Sequence, residues 1–324
     1  MKSSSGTTRL ALTCGLLVIA MATAGALPAA ATSTDEPESA FDLVEAAAPD
    51  VTTGVHTDAK RTADGLEYAV DSGVVTAPLE ASAPVSMEID GVDYSLGLPV
   101  TAGASLTSDN PSAPTFDNND GSSTSVLVKD SQITVASILS SVEAPEAYSY
   151  DYSGMGELRQ DPTDGGVTVW RDGVMVSALY QPWAIDAAGA EVPTRYEING
   201  STLTQVVEHR GAAYAYPIVA DPSQTLPGSN SYYAKIILNI DSAAGTTIVS
   251  VYPAAGVNWT RVARSTGVNA YNAIVPSTYE SQKYHDQLVC HWASAGYFKT
   301  PWNLDSWRPN VGYAATVAAW CNPN

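Results

Sequence analysis

The sequence predicts an α+β protein: an antiparallel β-rich N-terminal domain, followed by a small disulfide-stapled domain with a β-hairpin and two helices. Three observations predict it. Asp-Gly or Asn-Gly separates β-branched stretches three times between Leu66 and Asp221, and such pairs tolerate the positive φ of tight hairpin turns. Beyond Pro276 the apolar period becomes helical. Two cysteines, Cys290 and Cys321, span that helical part.

The N-terminus carries Lys2 and Arg9, then an apolar run from Leu10 to about Leu27, then Ala29-Ala30-Ala31. This order predicts a secretory signal peptide over 1–31, and Gly15, Gly25 and Pro28 argue against a membrane span. Cys14 lies inside the apolar run and not just after it, which argues against lipid anchoring. Its removal leaves Cys290 and Cys321, and in an oxidising compartment an intrachain disulfide is the default. The predicted location is extracellular.

Net charge is -19, unevenly placed. From Gln224 onward six Lys or Arg face four Asp or Glu, and the preceding part has nine against thirty. So acidic a passenger repels nucleic acid and anionic membranes. The expected partners are a cell-wall polysaccharide or an extracellular protein, with no nucleic acid and no membrane after signal cleavage.

Residues 32–65 contain Asp35-Glu36-Pro37-Glu38-Ser39 and Ala46-Ala47-Ala48-Pro49-Asp50, and read as an acidic linker with weak helical character over 41–48. A pro-segment is the functional alternative. The β-rich domain is placed at 66–222. Its hairpins are 85–89 with 92–96 about Asp90-Gly91, 167–170 with 174–180 about Asp172-Gly173, and 195–198 with 202–208 about Asn199-Gly200. Residues 101–125 are polar and turn-rich and read as a disordered loop. Within it 117–121 resembles a calcium loop, but with Gly121 at the sixth position Phe116 and Leu127 fall where the first and last ligands belong. Residues 223–231 read as a linker, and 232–324 as the C-terminal domain, opening with a hairpin of 232–241 and 246–252 about Ala243-Ala244-Gly245.

Ser277 and Glu280 form the capping-box pattern and predict a helix over 278–295, stopped at Gly296. At about 100° per residue, Tyr284, Leu288, Trp292 and Ala295 share one side, with Cys290 on a flank. A second helix is predicted over 311–320. A Cys290–Cys321 bond would staple the two, worth about 3–4 kcal/mol in the chain-entropy model.

For chemistry, the candidate catalytic residues are His291, Asp286 and Arg308. His285 and His291 are six apart, roughly 120° around a helix, where a shared metal needs three or four. No H-E-x-x-H, C-x-x-C or G-x-S-x-G motif is present, so no metal and no cofactor are predicted. The stronger argument is recognition. Trp302 and Trp307, placed in a loop with Asn303, Asp305 and Arg308, combine apolar ring faces with donors and acceptors. The competing reading makes these tryptophans core and Arg308 a structural partner of Asp305 or of a helix carbonyl.

Two resemblances follow. The segments 182–187, 192–197, 202–207 and 216–222 resemble a stretch common in secreted actinobacterial proteins, where it precedes C-terminal domains of several kinds. This implies a shared presentation module. Tyr284, Asp286-Gln287, Val289-Cys290-His291, the run 302–309, Val311-Gly312-Tyr313 and Cys321-Asn322-Pro323 resemble the family called domain of unknown function 2599. That family brings no activity with it. Together these readings predict a secreted, non-catalytic binding module carried on a β-rich passenger. The alternative is a toxin-like effector with an enzymatic C-terminal domain.

Overall fold

A computed structural model describes residues 38–228, 232–294 and 296–324. The segment 1–31, expected to be a signal peptide, lies outside the described residues. Ser39 caps α1 (Ala40–Ala47), its hydroxyl accepting from Asp42 N–H while the Asp42 carboxylate accepts from Ser39 N–H. Pro49 opens the short α2 (Pro49–Thr52). The segment expected to be a linker thus carries two helices, because Val44, Ala48 and Val51 bury against Leu127, Ile138 and Val219 of the sheet beneath.

β1 (Lys60–Arg61), β2 (Leu66–Val70), β3 (Gly73–Ala77), β4 (Val85–Ile89) and β5 (Val92–Leu96) form one antiparallel meander in that order. Further strands are β6 (Ser105–Ser108), β7 (Thr115–Asp117), β8 (Ser122–Val128), β9 (Gln132–Leu139), β10 (Ala147–Asp151), β11 (Glu157–Gln160), β12 (Val167–Arg171), β13 (Val174–Ala178), β14 (Ala184–Asp186), β15 (Thr194–Asn199), β16 (Thr202–Val207), β17 (Ile218–Ala220) and β18 (Ser223–Thr225). A seven-stranded sheet runs β14-β17-β9-β8-β7-β6, with β18 also paired to β9. Two smaller sheets, β10-β16-β15 and β11-β12-β13, complete this half. All three predicted hairpins form. Asp90 and Gly91, and Asp172 and Gly173, hold positive φ. In the third, Asn199 pairs with Thr202, so the turn moves one residue on, to Gly200-Ser201.

Two further sequence expectations are corrected. Residues 101–125 are ordered: β6, β7 and the start of β8 lie there, and Asn118 is buried with its amide donating to Ser122 and Thr124 hydroxyls. The carboxylates that resemble a calcium loop instead accept local N–H groups, Asp117 from Asn119 and Asp120 from Ser122. Nor is 223–231 an exposed junction where it is described. β18 is buried, and Ser177 Oγ–H and the Ala178 amide bond to Thr225. Its polar composition reflects hydrogen bonding inside a core, which composition cannot distinguish from solvation.

The C-terminal part contains β19 (Tyr233–Asp241), β20 (Thr246–Pro253), α3 (Arg264–Asn272), α4 (Gln282–Ser294), β21 (Trp302–Asp305) and α5 (Tyr313–Ala318). The strands form a sheet ordered β19-β20-β21. Trp259, Trp292 and Trp302 meet at the centre of its core, with Trp259 stacked on Trp292 at 5.2 Å and edge-on to Trp302 at 5.0 Å. That core also takes in Ala178 and Tyr180 from the upstream half. Residues Glu38–Asn324 accordingly make one compact unit.

Candidate functional site

The C-terminal helices are arranged differently from the sequence expectation. Pro276 leads into a single 3-10 turn, Ser277–Tyr279, and the Glu280 amide donates to the Ser277 carbonyl at 3.2 Å. That amide is the one a capping serine hydroxyl would have taken, so no capping box forms and α4 starts at Gln282. α5 is likewise shorter than the predicted 311–320, because Trp320 and Cys321 leave the helix with φ of 52° and 66°. Cys290 and Cys321 are bonded, joining α4 to the turn after α5.

Strand β21 is an edge of its sheet, and α4 closes that edge with side chains. Gln287 Oε1 accepts from Asp305 N–H at 2.9 Å, and His291 Nε2–H donates to the Asn303 carbonyl at 3.1 Å. Four residues apart, the two lie one above the other on the helix and match alternate residues of the strand. Burial, and next the nearby Lys299 charge, hold the His291 imidazole below its ordinary range. It is therefore neutral at pH 7, with the proton on Nε2.

Asp286 does not join His291. Five residues apart on α4, they point to different neighbours. Asp286 is fully buried against α3, its Oδ1 accepting from Arg264 at 2.8 Å and Gln282 at 2.7 Å. Its Oδ2 has no hydrogen-bond partner among the described residues. Arg308 bonds Asp305 Oδ2 through Nε at 3.1 Å and directs Nη1 to the Pro323 carbonyl at 3.4 Å. The three candidate catalytic residues are thus spread over three contacts rather than gathered around one cleft. Among the described residues no group of three or more His, Cys, Asp or Glu could hold a metal ion. No described helix is long and apolar enough to cross a membrane.

The predicted recognition loop separates into two kinds of residue. Trp302 is in β21 and fully buried, with its indole N–H donating to the Gly296 carbonyl. It belongs to the core, since strand alternation turns it inward beside Leu304. Asn303 faces the other way and accepts from Ser250 Oγ–H through Oδ1. Asp305 is buried and paired with Arg308. Trp307 is 49% exposed and lies beside the Arg308 guanidinium.

The sequence expectation missed Trp320, which is 83% exposed, and the fully exposed Phe298. The missing signal was length. A six-residue helix of Tyr-Ala-Ala-Thr-Val-Ala, buried only at Thr316, has nothing to enclose an indole two residues beyond it. Trp307 lies beside the Arg308 guanidinium, and Arg308 Nη1 reaches the Asn322–Asn324 tail that follows Trp320.

Residues 242–324 match the family described as Protein of unknown function (DUF2599). The DUF2599 match takes in β20, α3, α4, β21 and α5, and so every residue of the site just described. Comparison with curated proteins gives no match. Several DUF2599-like residues acquire structural roles here. Gln287 and His291 seal β21, Asp286 ties α4 to α3, and Cys290 and Cys321 staple the end of the chain.

Proposed function

We propose that this is an exported, extracellular recognition protein whose ligand lies against Trp307, Arg308 and Trp320. The observation that carries the reading is the division among the tryptophans. The same small region buries Trp259, Trp292 and Trp302 but leaves Trp307 and Trp320 exposed, Trp307 beside the Arg308 guanidinium and Trp320 just before the tail to which that guanidinium bonds. Solvated indoles beside a fixed donor provide a ring face and a hydrogen-bonding edge, the combination that sugars and peptides need. An oxidised Cys290–Cys321 pair suits an extracellular setting. A non-catalytic role is supported by the structural engagement of His291, Asp286 and Arg308.

The favoured ligand is cell-wall glycan, with a protein ligand as the other class. The test is retention of the whole chain on purified bacterial cell walls and insoluble glycans. Trp320→Ala and Trp307→Ala should each weaken retention by about tenfold or more while leaving the fold intact, as expected for aromatic anchors. Retention unchanged by both substitutions would remove this surface from the function.

A further inference from the structure

The two edges of the C-terminal sheet are treated differently. The β21 edge is closed by Gln287 and His291, as described above. β19 occupies the other edge, and among the described residues no strand pairs with its second side. It runs for nine residues, Tyr-Ala-Lys-Ile-Ile-Leu-Asn-Ile-Asp, and holds two large exposed apolar side chains, Ile237 and Ile240. Long apolar edges usually carry charges, bulges or proline that prevent pairing. Here the charges stand near the two ends, Lys235 and Asp241, and the bulge lies before Lys235.

That arrangement is self-complementary. In an antiparallel pairing of two copies about a two-fold axis at Leu238, Lys235 of each copy lies opposite Asp241 of the other. Ile236 lies opposite Ile240, and Ile237 opposite Asn239. The register on β20 puts Ile236, Leu238 and Ile240 on the core side, opposite Val251, Val249 and Thr247. The pairing therefore covers Ile240, which is 63% exposed in the single chain, with the partly buried Ile236 of the partner copy. Lys235 and Asp241 share the opposite face, where Lys235 Nζ sits 4.5 Å from the Tyr252 ring centroid. A pairing centred on Ile237 instead sets Lys235 against Asn239 and Ile240 against Ala234, losing both the ion pairs and the apolar match.

We infer that β19 is a homodimerisation edge: two copies of this chain join β19 to β19 antiparallel about Leu238, extending the C-terminal sheets into one. The two-fold makes the interface isologous, so the charge pair occurs twice. β19 precedes the DUF2599 match, so the proposed contact belongs to this chain's own preceding strand.

The experiment is sedimentation equilibrium of the exported chain from micromolar to several hundred micromolar, with circular dichroism to verify each variant's fold. The expected result is a reversible dimer. Lys235→Glu, which sets like charges opposite each other twice, should weaken it by about tenfold. Lys235→Glu with Asp241→Lys should restore it, and Ile240→Lys, at a position exposed in the monomer, should leave folded monomer. A wild-type chain monomeric throughout, or a dimer indifferent to both Lys235→Glu and Ile240→Lys, would overturn the inference.

Discussion

His291 shows how one side chain in this fold exchanges chemical capacity for structure. Its Nε2–H satisfies a strand carbonyl, and its burial favours the neutral ring. His285, bonded to Asn272 at 2.8 Å, is also lowered, again chiefly by burial. A histidine whose folded pKa lies below its unfolded value stabilises the fold in its neutral form. That stability is complete above the unfolded value of about 6.5 and is lost as pH falls towards the folded one. The stability advantage of wild type over His291→Gln should therefore narrow from pH 7 to pH 5 in thermal melts. A constant difference across that range would mean that His291 is not held neutral. Asp221 has the opposite sign. Burial raises its carboxyl to about 7 although Trp183 and Ser223 amides donate to it, so it costs stability as pH rises from about 4 to 7. The comparison with His291→Gln, in which Asp221 is unchanged, separates the two.

At the scale of elements, α3 is shaped by its neighbours rather than by its own sequence. It lacks a side-chain cap of its own. Asp164, from the loop between β11 and β12, supplies one across 101 residues, accepting from Ser265 N–H at 2.8 Å and Ser265 Oγ–H at 2.7 Å. Asp164→Ala should cost about 1 kcal/mol in chemical denaturation, the usual worth of an N-cap. Gly267 sits in the same helix where a Cβ would lie 2.6 Å from two ring carbons of Trp292. On propensity alone Gly267→Ala would stabilise α3 by about 1 kcal/mol. Because the indole is fixed between Trp259 and α3, the substitution should instead destabilise by about 1–3 kcal/mol. A more stable Gly267→Ala variant would show that the helix can move away from Trp292. Replacing Cys290 and Cys321 together by Ala should cost about 3–4 kcal/mol and make the C-terminal region protease-sensitive.

At the scale of the whole molecule, the two halves of Glu38–Asn324 are tied into one compact unit. Besides the Asp164 cap, the Gln181 amide donates to the Arg261 carbonyl, and Arg261 lies over the Trp183 ring at 4.6 Å. Asn258 donates to Asp50 in α2 at 3.1 Å, and Tyr180 completes the aromatic core. A fragment of residues 224–324 leaves behind the cap, the Ala178 and Tyr180 contacts and the sheet that holds β18. It should melt well below the C-terminal region of the whole chain and bind a hydrophobic dye. Equal melting temperatures would restore the picture of a detachable module.

Local chemistry was legible in the sequence. The turns at Asp90-Gly91 and Asp172-Gly173, the hairpin closed by Gly245, and the pairing of Cys290 with Cys321 all depend on residues close in sequence or on a single possible partner. The positions of α4 and α5 could be read to within a few residues for the same reason. What only the tertiary structure decided is which polar and aromatic groups face solvent. Trp302 and Trp320 are chemically identical, yet strand alternation encloses one against Trp259 and the short α5 leaves the other in solvent. Polar β18 reads as solvated because its hydrogen-bond partners come from distant strands, and the 101–125 stretch because its polar side chains bond to one another only once β7 and β8 are paired. No local pattern reports a partner that only the fold brings near.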